Sequence, residues 1–102
     1  MNKNINFGQE VHDFTGAVVN KQTASGEKPM QLADIAYYVL SATKPTKDTA
    51  LMRFNIGKKI KAAEAELTTV EVAELKNALD VSLEEGRLSM LEYGIMYEAL
   101  NG

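Results

Sequence analysis

Apolar residues enter this chain at alternate positions and then switch to a helical spacing. Ile5, Phe7 and Val11 sit among polar neighbours. The stretch DFTG (Asp13 to Gly16) places aspartate first and glycine fourth in a turn, and Ala17, Val18 and Val19 follow. Alternation, turn and β-branched residues predict a short hairpin over about residues 5–19. NKQTASGEKP, from Asn20 to Pro29, reads as a polar loop punctuated by Gly26 and Pro29. Two strands alone are marginal in water, so the hairpin must lean on helices.

From Leu32 the period lengthens. Leu32, Ile35, Ala36, Val39 and Leu40 recur at i, i+3, i+4, i+7 and i+8 and predict a helix over about 31–42. Pro45 ends it by restricting Lys44. A second helix, about 47–63, begins near Thr46 or Asp48 and carries Met52, Ile56, Ile60 and Ala63 as its stripe. LTTVE separates it from a third helix, about 69–80. Thr68 and Glu71 form a capping box there, and Leu67 is placed to staple onto Val72. That helix packs through Val72, Leu75 and Leu79, and DVSLEEGRL breaks the pattern around Gly86. Ser89 and Glu92 make a second capping box, with Leu88 and Tyr93 as its staple, and a last helix covers about 90–100. The expected architecture is a single α+β domain, an N-terminal β-hairpin packed on about four short α-helices.

Composition narrows the class. At 102 residues the chain fits one small domain, and its apolar and charged fractions, 45% and 25%, are those of a globular protein rather than a disordered one. The absence of cysteine excludes disulfides, thiol nucleophiles and thiolate metal sites. MNKNINFGQE lacks the apolar core of a signal peptide, and no window approaches a membrane-spanning run, so a cytoplasmic protein is expected. The net charge of −3 conceals an asymmetry. Residues 1–63 carry nine Lys/Arg against five Asp/Glu, or +4, whereas residues 64–102 carry two against nine, or −7. That balance is too mild for a nucleic-acid binder and too mixed for an acidic nucleic-acid mimic.

No residue set with catalytic, cofactor-binding or metal-ligating spacing stands out. His12 is the one histidine and adjoins Asp13, but neighbouring strand residues face opposite ways and no nucleophile motif accompanies them. Glu84 and Glu85 lack the repeating oxygen ligands of a calcium loop. NKQTASGEK lacks phosphate-loop spacing. The cations Arg53, Lys58, Lys59 and Lys61 spread round their helix, which reads as a solvated face rather than a groove-tracking one. Arg53 falls inside the apolar sector of that helix, where an ion pair with a carboxylate such as Asp34 or Glu98 would accommodate it.

The last helix is the strongest functional signal. Met90, Leu91, Tyr93, Ile95, Met96, Tyr97, Ala99 and Leu100 cover nearly every direction. A helix apolar all round is either central in the core or lies against another molecule. Tyr93, Ile95, Met96, Tyr97 and Leu100, with Tyr37 and Tyr38 off the stripe of the first helix, are therefore the candidate protein interface. Packing of this helix by the hairpin and the other helices is the competing reading.

Several segments also resemble one group of proteins. The Asp-x-x-Gly turn leads to PMQLAD, then RFNIGKKI, LTTVEVAELK and GIMYEAL. Together they are similar to small proteins encoded by tailed bacteriophages and prophages, most without an assigned function. DVSLEEGRLSM is longer than the matching connection in that group, which marks its surface as specialised. The resemblance covers most of the chain through scaffold motifs and carries over no catalytic residues. The resemblance implies a viral origin. With the small size, the absence of recognisable chemistry and the apolar last helix, it leads to the expectation of a phage-encoded, non-enzymatic protein-binding factor in the host cytoplasm that inhibits or modulates a host protein. A virion-assembly accessory, such as a tail assembly chaperone or a head–tail factor, is the alternative, and a nucleic-acid-binding regulator comes third. The expected partner is a host or virion protein or a second copy of the chain. No cofactor, nucleic acid or membrane is expected.

Overall fold

A computed structural model describes residues 2–61 and 64–101. The elements run β1 (Lys3–Asn6), β2 (Asn20–Thr23), β3 (Gly26–Pro29), α1 (Leu32–Ala42), α2 (Lys47–Ile60), β4 (Glu64–Leu67), α3 (Thr69–Glu84) and α4 (Met90–Asn101). Among the described residues, four helices and two small antiparallel sheets make an α+β domain, with the N-terminal, hairpin-like strands packed on the helices.

The strand pairing differs from the expected hairpin in two places. β1 does not return on the Ala17–Val19 stretch. It pairs with β4 instead, with Ile5 opposite Ala65 and Lys3 opposite Leu67. The half nearest the turn forms where expected: around Asp13–Gly16, His12 bridges Val18 and Val19 N–H bonds Val11 O at 2.8 Å. Asp13 Oδ1 holds that turn by accepting from the Thr15 N–H (2.8 Å), the Thr15 hydroxyl (2.6 Å) and the Ala17 N–H (3.1 Å). The Thr15 hydroxyl bond, followed by the main-chain ones, holds the Asp13 carboxyl below its ordinary pKa. The second difference is that residues 20–29 are a hairpin, not a loop. Asn20 faces Pro29 and Thr23 faces Gly26. Main-chain bonds from Val11 N–H to Met30 O (2.8 Å) and from Met30 N–H to Val19 O (2.7 Å) join the two ribbons.

β4 is also new. In Glu64–Leu67, Ala65 and Leu67 are buried and Glu66 is exposed, a period of two written in residues that favour helices. The expected continuation of α2 to Ala63 lies outside the described residues. α3 runs to Glu84, four residues beyond its expected end at Asp80. Gly86, at φ +72°, closes it: Arg87 N–H bonds Ser82 O (2.9 Å) and Gly86 N–H bonds Leu83 O (3.0 Å), a Schellman ending that needs a left-handed residue. Both expected capping boxes form. Glu71 N–H donates to Thr68 Oγ1 (3.2 Å) while Thr68 N–H donates to Glu71 Oε1 (2.9 Å), and Ser89 and Glu92 exchange the same bonds at 3.1 and 3.2 Å.

The core runs through the middle of the helical layer. Leu32, Ile35, Ala36 and Val39 of α1 meet Leu75, Ala78 and Leu79 of α3, flanked by Ile56 and Ile60 of α2 and by Met96 and Leu100 of α4. Ile5, Phe7 and Val11 cap this cluster from the strand side. Among the described residues, no helix is long and apolar enough to cross a membrane.

Candidate functional site

The helix that is apolar all round is mostly consumed by the fold. α4 packs against α3, α1 and β1. Met96 and Leu100, two of the candidate interface residues, are 0% and 2% exposed and belong to the core, so they are not available to a partner in this conformation. Ile95 and Tyr93 are half-buried against the same cluster. Tyr93 stacks on Tyr97 at 5.6 Å and donates its hydroxyl to Asp80 Oδ1 at 2.8 Å. The bond to Asp80, with partial burial and the aspartate charge behind it, raises the Tyr93 pKa above that of a free phenol. Tyr97 stays 41% exposed beneath the Lys76 ammonium, which also bonds Asn101. Met90 and Tyr97 are what α4 still offers to solvent among its large apolar residues.

A second apolar surface was not singled out in the sequence. It lies between α1 and α2. Tyr37, Leu40 and Ser41 form one wall, Ala50, Arg53, Phe54, Gly57 and Lys58 form the other, and Pro45 and Lys61 complete an open groove of about 500 Å³. On α2 the positions Ala50, Phe54, Gly57 and Lys61 fall within about 60° of one another, at i, i+4, i+7 and i+11. The stripe facing the core, Met52–Ile56–Ile60, lies well round the helix from it. α2 therefore carries apolar residues on two faces, and Phe54 and Leu51 remain 63% and 67% exposed. A smaller cavity of about 220 Å³ adjoins the groove through Tyr37 and Lys61. Tyr38, 46% exposed, stands outside both.

Gly57 is the unusual member. Glycine inside a helix costs roughly 0.5–1 kcal/mol relative to alanine. A Cβ built there would meet nothing within 4 Å, so no neighbour in the fold requires its absence.

The four cations of α2 and its C-cap sort by position rather than spreading evenly. Lys59 turns away and donates to Glu71 Oε1 at 2.6 Å. Burial pushes the Glu71 carboxyl up, but the Lys59 bond and charge and the Thr68 bonds outweigh it and hold the pKa below the ordinary value. Arg53, Lys58 and Lys61 all line the groove. Lys58 lies over the Phe54 ring at 5.6 Å. Arg53 is 8% exposed, and its ion pair is with Glu74 rather than Asp34 or Glu98: Nε donates to Glu74 Oε2 at 2.7 Å. Nη1 donates to Thr43 Oγ1 (2.7 Å), Thr43 O (2.9 Å) and Leu40 O (3.2 Å). Nη2 makes no hydrogen bond among the described residues. Asp34 pairs instead with Lys21 at 2.6 Å.

His12 is exposed, and Asp13 Oδ1 is engaged in its turn. Among the described residues no three His, Asp or Glu side chains gather as a metal site would require. No protein-family profile, no curated protein and no solved structure matches the chain.

Proposed function

We propose that this chain is a non-enzymatic protein-binding domain. The observation that carries this reading is a built groove with the solvent-exposed aromatic residues Phe54 and Tyr37 on its walls, and further large apolar side chains left in solvent at Leu51 of α2 and at Met90 and Tyr97 of α4. Scattered apolar residues are normal on a surface, but aromatic residues gathered round a concave apolar floor are characteristic of docking sites. Taken with the resemblance to phage-encoded proteins, the reading becomes a factor that acts in a host cytoplasm by occupying the surface of a host protein. Assembly of the virion is the second reading, on the same resemblance.

Affinity capture of the tagged protein from infected and uninfected host cells tests it, with Phe54→Glu and Tyr97→Glu as matched baits. Both substitutions change exposed residues, so circular dichroism is expected to show an intact fold. A stoichiometric protein held by the wild type in both lysates, and lost on one variant, supports the host-directed reading. A virion protein captured only after infection moves the role to assembly. Retention of the same partners by both variants, or no stoichiometric partner at all, overturns the docking assignment.

A further inference from the structure

The α1–α2 groove has a chemistry of its own, and we infer that it receives an acidic amphipathic helix about three turns long, contributed by a partner protein. The inference rests on the protein-binding reading and adds where the partner docks and what it must look like.

Three independent features point the same way. The first is shape. From Ala50 to Lys61 the floor runs along α2 for about 16 Å, three helical turns at 1.5 Å per residue. Its other wall is also a helix. The hollow between two packed helices is the surface into which a third lays its apolar ridge.

The second is Gly57. Alanine would make α2 a better helix, and the fold has room for it. What the missing side chain leaves is depth at the middle of the groove, where an incoming apolar side chain can approach the main chain between Phe54 and Lys61.

The third is charge. The residues lining the groove include Arg53, Lys58 and Lys61 and no carboxylate. Arg53 is more than nine-tenths buried, Glu74 and Thr43 hold it in place, and its Nη2 donors have no partner among the described residues. A fixed guanidinium edge with free donors in an apolar groove is matched by a carboxylate. Lys58 and Lys61 extend that preference along the rim. The occupant thus presents apolar residues at i, i+3 or i+4 and i+7 towards Phe54, Gly57 and Leu40, with Asp or Glu beside them. A second copy of the chain is the competing occupant, because residues 64–102 carry the acidic excess.

The test is a selection from a random 16-residue peptide library on the whole protein, followed by fluorescence anisotropy of the enriched peptides. Wild type is compared with Gly57→Leu, which fills the groove at a position with open space, and with the double variant Lys58→Glu/Lys61→Glu. Expected are peptides of net negative charge with apolar residues at helical spacing. Their affinity falls at least tenfold on either variant and weakens in 0.5 M salt. Peptides that ignore Gly57→Leu but are lost on Tyr97→Glu place docking on α4, which overturns the groove while leaving the protein-binding reading standing. Neutral or basic peptides that compete for the groove overturn the acidic occupant, and failure to enrich any peptide overturns the groove as a helix site. Sedimentation velocity covers the remaining case: wild-type self-association abolished by Gly57→Leu assigns the groove to a second copy and overturns the partner.

Discussion

Arg53 and Phe54 are adjacent in sequence and opposite in fate. Arg53 is drawn under the helical layer because the main-chain oxygens of Leu40 and Thr43, at the end of α1, need donors that the chain turning at Pro45 does not supply. Its guanidinium serves both carbonyls, the Thr43 hydroxyl and Glu74 at once. With side chains 8% and 11% exposed, the pair is largely desolvated, so the penalty falls on whichever partner is left alone. Arg53→Ala is expected to cost about 3–5 kcal/mol, read as a lower denaturant midpoint in urea. Adding Glu74→Ala to it is expected to recover part of that loss, because no charge is then stranded. An Arg53→Ala variant within ~0.5 kcal/mol of wild type would show that the network contributes little.

At the scale of elements, Glu71 couples two helices. It closes the capping box of α3 and receives Lys59 from α2. Since the folded-state pKa of Glu71 is depressed, its contribution is present in full above the unfolded value, about 4.3, and is lost as pH falls through the lower folded value. Wild type is therefore expected to melt at a nearly constant temperature from pH 7 to 5 and progressively lower below that. Glu71→Gln is expected to melt lower than wild type at pH 7, with the two curves converging in acid. Melting curves followed by circular dichroism at stepped pH check this. A gap that persists unchanged to pH 2.5 would assign the effect to the cap geometry rather than to the charge.

For the molecule as a whole, the β1–β4 pair ties the N-terminal strand to the segment between α2 and α3. A protein of this size buries roughly 60–70% of its unfolded surface and has about 5–15 kcal/mol to lose. Phe7 is fully buried just after β1, where the Phe7 carbonyl accepts from Ala33 N–H at 2.9 Å and ties the strand exit to the first turn of α1. Phe7→Ala is expected to cost about 3–5 kcal/mol, a large share of the total. Phe54→Ala, an equal change on the surface, is expected to stay within ~0.5 kcal/mol. Equilibrium unfolding in guanidinium separates them, and similar midpoints would mean that one of the two phenylalanines is misplaced.

What the sequence determined by itself is local. The stripe of α1, the capping boxes at Thr68 and Ser89 and the turn at Asp13–Gly16 are each decided by residues a few positions apart, and each stands where the pattern placed it. The α+β class follows from the same signals. What needed the tertiary structure was pairing across distance. β1 could not be matched to β4 from its own residues, because about 60 positions separate them and the Ala and Glu of β4 favour helix until a partner strand takes their main-chain groups. The β2–β3 ribbon is polar on both faces, so no alternation marks it. The length of α3 was hidden because buried Ser82 interrupts the apolar stripe just before Gly86 ends the helix. The groove shows the same limit. Ala50–Phe54–Gly57 is a readable stripe, but only the packing of α1 beside it turns an exposed face into a concave one. The reverse holds for α4, whose apolar circumference is plain in sequence, while the neighbours that cover Met96 and Leu100 are chosen only by the fold.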